Sequence, residues 1–124
     1  MTHQFLFSPD MAPTFEVGGV KGSAVTAECQ LGSGDVAIMH VKGRHGRCKS
    51  TLNDRFYVVM NGQGSFTVAG DIITVHQDDV VVVPKETEYD FEGDMKVVVF
   101  NSPRFSPQHD LLFEGAVKRG PGAS

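Results

Sequence analysis

The chain has 124 residues, with 17 Val against 5 Leu, 14 Gly, 6 Pro and no Trp. That length suits one compact domain, and 40% hydrophobic with 21% charged residues excludes the composition of a disordered chain. A formal net charge of -4 offers no basic face to nucleic acid or an anionic membrane, and the Val and Gly bias disfavours helices.

Residues 1–20 read as an extended N-terminal arm, with Phe5, Phe7 and Phe15 as packing anchors on the domain or on a partner subunit. The first residues lack a charged and then apolar leader, and no run reaches membrane-spanning length. The expected compartment is therefore the cytoplasm, with Cys29 and Cys48 reduced.

Strand-like segments follow from Ser23 to Gln30 and from Asp35 to Val41, separated by a turn at 31–34. A polar, basic loop occupies Lys42 to Asn53. The run Arg55 to Met60 predicts a strand closed by Asn61-Gly62, a strong hairpin signal, with Ser65 to Ala69 as the returning strand. Gly70-Asp71 turns into Ile72 to Val75. The apolar run Val80 to Val83, ending at Pro84, predicts a strand buried on both faces or pinned by the proline. Glu88 to Phe91 and Lys96 to Phe100 complete the series. Asp110 to Glu114 offers at most one short turn of helix, and residues 114–124 read as a flexible tail. Turn signals every eight to twelve residues or so predict an all-β sandwich or barrel over residues 21–113.

Gly43, Arg55 and the run Phe56 to Gly64 fall in the frame of one motif, and Asp78, Pro84, Glu86 and Tyr89 in that of a second. Asn101 to Phe105 adds a Pro-Phe ending. On these residues the chain resembles the cupin superfamily, in particular its single-domain members, which implies a double-stranded β-helix (jelly-roll) barrel. Metal-dependent members take two His and a Glu from the first motif and a His from the second. Those places fall here on Lys49, Thr51, Arg55 and Tyr89, or on Cys48 and Ser50 for the first pair if the loop slips by one residue. Neither set suits Fe, Mn, Zn or Ni, so no metal and no other cofactor is expected.

In such a barrel alternate residues face the mouth. Arg55, with Lys49, would place positive charge there, either forking onto a ligand or forming an internal ion pair with Asp54, Asp78 or Glu86. Tyr57 and Tyr89 fall at inward positions, where a phenol can donate a hydrogen bond or move a proton. His40 and His45 flank the basic loop, and either suits a general base. Tyr89 and His40 are the candidate catalytic pair; Arg55, Tyr57, Lys49, Thr51, Cys48 and His45 are the candidate ligand contacts. The expected ligand is a small molecule, anionic or carbonyl-bearing. The resemblance also implies a homodimer paired through the outer sheet.

Three functions follow. One is a metal-independent isomerase- or epimerase-type enzyme acting on a sugar-like or carboxylated metabolite. The second is a non-catalytic ligand-binding or sensor module, and the third a metal-dependent oxygenase with a non-standard ligand set.

Overall fold

The computed structural model describes residues 5–113, together with the backbone of Lys118–Arg119. Ten strands occupy that span: β1 (Thr14–Val17), β2 (Val20–Ser23), β3 (Asp35–Arg44), β4 (Cys48–Ser50), β5 (Asp54–Val68), β6 (Asp71–His76), β7 (Val80–Val83), β8 (Tyr89–Ser102), β9 (Asp110–Leu112) and β10 (Lys118–Arg119). The helices among the described residues are two three-residue 3-10 turns, Pro9–Met11 and Pro107–His109. Every strand pair is antiparallel, and the sheet curls on itself as the cupin-type barrel does. One path runs β10-β1-β2-β3-β8-β4-β9, while β5 pairs with β6, β7 and β8.

The longest strands differ from the sequence expectation in an instructive way. Asn61-Gly62 does not turn the chain, because β5 continues through it to Val68. A bulge lies there instead: Val59 faces Val97 and Asn61 faces Lys96, leaving Met60 as the extra residue. Gly62, at φ 83°, supplies the left-handed backbone that this corner requires. The extra residue also switches parity. Arg55, Tyr57 and Val59 point inward before the bulge, whereas Phe66 does so after it. The hairpin comes one turn later, at Ala69 and Gly70, both with positive φ, and delivers β6 onto the second half of β5. Likewise β8 runs unbroken across the two segments expected separately.

Other boundaries also move. After β2 the chain turns through 25–28 rather than extending to Gln30. β7 alternates, with Val81 and Val83 buried and Val80 and Val82 on the outer face, so it is covered on one side only. Asp110 to Leu112 form β9, preceded by the 3-10 turn, in place of the expected helical turn. The second half of the N-terminal arm joins the chain's own sheet as β1. Phe15 lies against Gly22, where a Cβ would clash with the ring, so only glycine leaves room for it. β10 pairs with β1 through Glu16 and Val17; the rest of the expected C-terminal tail lies outside the described residues.

The core is Val-rich, with Val20, Val41, Val59, Val75, Val83, Val97 and Val99 almost fully buried. At one end it becomes aromatic. Phe66 stacks on Phe91 at 4.9 Å, and Tyr57, Tyr89 and His45 pack around the same ring. Of these rings, Tyr57 and His45 line a cavity.

Candidate functional site

The cavity has a volume of about 710 Å³. Its apolar wall includes Phe15, Val17, Met39, Val99 and Phe105, and its polar residues include His45, Arg55, Tyr57, Asn101 and Asp110. Strand parity fixes the membership. Arg55 and Tyr57 are alternate residues of β5 and Asn101 sits opposite Arg55 on β8, while β9 pairs with β4 to bring in Asp110.

Arg55 is 5% exposed and organises the floor. Its Nη1 donates to the Tyr89 hydroxyl at 2.7 Å, and its Nη2 donates to Asn53 Oδ1 at 3.2 Å and to the Asp110 carboxylate. Burial works against the guanidinium charge, but the oxygens of Tyr89, Tyr57 and Asp110 outweigh it, so Arg55 stays protonated. The internal ion pair therefore forms, with Asp110 rather than with Asp54, Asp78 or Glu86. Asn53 is a second hub: it accepts from Ser50 Oγ at 2.8 Å and donates to the carbonyls of Pro103 and Arg104. Two buried atoms of this floor, Arg55 Nε and Asn101 Oδ1, have no partner among the described residues.

The Tyr57 and Tyr89 hydroxyls lie 2.6 Å apart. Burial raises the pKa of both phenols, so each is a hydrogen-bond donor rather than a base at neutral pH. Tyr57 belongs to the cavity wall, and Tyr89 stands behind it. His45, 6% exposed, stacks on Phe91 at 4.5 Å. Its Nδ1 lies 2.8 Å from the Gly46 carbonyl, which can only accept, so Nδ1 carries the proton. That leaves the Nε2 lone pair for a ligand. Burial lowers the His45 pKa from 6.5, partly opposed by the Gly46 bond and Asp90, and the ring is neutral at physiological pH.

Of the residues singled out from sequence, the structure brings together His45, Arg55, Tyr57, Tyr89 and Cys48. Cys48 is buried beside His45, with Sγ 3.8 Å from Nδ1, and burial pushes its thiol up to about 12. It is thus a neutral filler rather than a reactive thiolate. Three candidates are corrected. His40 is exposed on the outer face, in register with Lys21 and Lys96, because Met39 and Val41 take the inward positions of β3. Lys49 points away from the barrel, 4.0 Å from Glu86. Thr51 is exposed and bonds the carbonyl of His109. The loop register is the slipped one, with Cys48 and Ser50 buried.

The four positions that carry metal ligands in metal-dependent cupins thus hold Cys48, Ser50, Arg55 and Tyr89. A protonated guanidinium, a neutral thiol, a phenol and a hydroxyl already bonded to Asn53 do not fit a divalent cation. Among the described residues no three His, Cys, Asp or Glu side chains converge elsewhere. Sequence reasoning misses Asp110, Asn53 and Asn101. The acid at 110 is legible only as part of a short helical turn, and nothing local ties it to a residue 55 positions earlier.

No protein-family model matches the sequence, and neither does any curated protein. Solved structures do match the fold. PAC13 from Streptomyces, one variant of which was solved with uridine, superposes with a TM-score of 0.82 at 19% identity, covering 89% of this chain and 91% of that one. PAC13 is described as a nucleoside dehydratase. KdgF from Halomonas sp. gives 0.69 at 17% identity over 83% of this chain and 96% of its own. A predicted oxalate decarboxylase from Thermotoga maritima gives 0.65 at 14%, over 79% and 98%. At these identities the likeness establishes the cupin fold.

Replacing Arg55 with Met strands the Asp110 carboxylate, and should cost about 3 kcal/mol in urea denaturation. The double variant Arg55→Met/Asp110→Leu should recover most of that loss, since it removes both charges. A single variant as stable as the parent would show that the pair is not held as described.

Proposed function

We propose that this protein is a metal-independent enzyme that binds a sugar-like, carbonyl-bearing small molecule in the barrel mouth and catalyses proton transfer on it, as an isomerase, epimerase or dehydratase does. The observation that carries this reading is the pairing, on one cavity floor, of a neutral histidine with a free Nε2 and a protonated Tyr57 phenol. The Nε2 lone pair takes a proton from the carbon next to a carbonyl. As charge develops on the carbonyl oxygen, Tyr57 donates to it, Tyr89 donates to Tyr57, and Arg55 donates to Tyr89, so each phenol donates once and accepts once. Return of the proton to carbon gives isomerisation or epimerisation; its transfer from Nε2 to a β-hydroxyl, which then leaves as water, gives dehydration. The description of PAC13 as a nucleoside dehydratase supports the last outcome. Asp110 offsets the charge of Arg55, which favours a carbonyl group over a strongly anionic one. A cavity of about 710 Å³ has room for a nucleoside-sized ligand.

The closed Arg55–Asp110–Asn53 network favours a second reading, a binding module without chemistry. Calorimetry with uridine, a ketose and an α-keto acid, followed by product analysis, separates the two. The enzyme reading expects at least one probe to bind and turn over, with His45→Gln binding within about threefold of the parent but at least a hundredfold slower. Its kcat/KM should be level through neutrality and fall as pH drops below the lowered pKa of His45, where Nε2 gains a proton. Binding without turnover would select the module, and failure of all three probes to bind would overturn both.

The reading extends to the assembly. The outer face where β5 and β7 meet the second half of β8 carries an apolar patch, with Phe56 in register with Phe100 and Val82, and Val58 with Val98 and Val80. Val80 and Val82 are more than half exposed there. A homodimer covering this face is expected, located in the cytoplasm, in keeping with the free thiols of Cys29 and Cys48. Light scattering should give twice the 13.4 kDa chain mass, falling to that of one chain for Phe56→Lys. A monomeric parent protein would contradict the assembly.

A further inference from the structure

Asp90 does not line the cavity, yet it grips the chain on both sides of His45. Its Oδ2 accepts from Arg44 Nε at 2.6 Å, and its Oδ1 accepts from the Gly46 backbone at 2.8 Å and from that of Phe91 at 2.8 Å. The ladder between β3 and β8 ends at Arg44 opposite Glu92, so residues 45–47 leave the sheet just where the histidine must be placed. The His45 backbone then donates to the Phe91 carbonyl at 2.8 Å, and its ring stacks on the Phe91 side chain. Gly46, at φ 106°, turns its carbonyl back onto His45 Nδ1. With its amide held by Asp90 and its carbonyl on the ring, Gly46 couples the carboxylate to the tautomer.

We propose that Asp90 is the positioning residue for His45, fixing the Nδ1–H tautomer through Gly46. The inference rests on the reading of His45 as the base. The groups acting on the ring are Asp90 and Asp110, which favour protonation, and Arg55, which opposes it. The buried, neutral Cys48 and the apolar ring of Phe91 complete its surroundings.

Ring-selective proton–nitrogen NMR tests this on the intact protein without any substrate. The parent should show one neutral tautomer, protonated at Nδ1. Asp90→Asn retains an acceptor for Gly46 but no charge, so the tautomer should persist while the midpoint of ring protonation moves down by on the order of half a pH unit or more. Asp90→Ala removes the clamp, and the ring should sample both tautomers. With a substrate in hand, Asp90→Ala should lower kcat about tenfold and leave KM within about twofold. An unchanged midpoint in Asp90→Asn together with an unchanged tautomer in Asp90→Ala would overturn the proposal. Should the parent show no turnover, the base reading fails separately, because the NMR arms still report on Asp90.

Discussion

A guanidinium buried inside a β-barrel sets the terms for everything around it. Taking Arg55 out of water costs several kcal/mol, and the surroundings must return it through charge and hydrogen bonds. Asp110, Tyr89 and Asn53 do so from three different segments, and each is placed by the sheet. Asp110 arrives because β9 pairs with β4, Tyr89 because it opens β8, and Asn53 because it lies two residues before Arg55 on the way into β5. Asn53 also binds the carbonyls of Pro103 and Arg104, so the segment bordering the cavity is tied to the same cation. The floor of the site and the closure of the barrel are one network.

That network determines what chemistry the cavity can host. A metal-dependent cupin concentrates a dication on this floor; here a guanidinium compensated by Asp110 occupies the position, and the phenols, thiol and imidazole beside the pair are neutral. Burial keeps the phenols and the Cys48 thiol protonated and His45 deprotonated, giving donors on one side and a base on another without a net charge. The fold is shared with PAC13 and KdgF, but a fold does not by itself define a reaction. The reading of proton transfer rests on this division of protonation states.

The parts of this arrangement that depend on local pattern are legible in the sequence. Val and Gly content points to strands, and alternation along the strand places the side chains of Arg55 and Tyr57 inward, where both are found. Parity fails where a single residue shifts it. Met60 makes a bulge of what reads as a hairpin, since an Asn-Gly pair supplies positive φ equally well to a turn or to a barrel corner. The same one-residue ambiguity in the basic loop resolves in favour of Cys48 and Ser50, sending Lys49 and Thr51 outward. His40 falls outside the site because its strand extends as a regular alternation, with Met39 and Val41 the better core residues. Asp110, Asp90 and the bonds of Asn53 to Pro103 and Arg104 are illegible for another reason. Their roles come from ladder pairings and side-chain reach between segments far apart in the chain, and neither spacing nor composition records those.

The central claim is that His45, unaided by a metal, removes a carbon-bound proton from a carbonyl compound. Its most direct test is solvent deuterium incorporation, followed by NMR, into aldoses, ketoses and α-keto acids incubated with chelator-treated protein. The account predicts deuterium at the carbon next to the carbonyl of at least one of them, at a rate unchanged by chelation and lost in His45→Gln. Incorporation that appears only after a divalent metal is restored, or that survives His45→Gln, would contradict it.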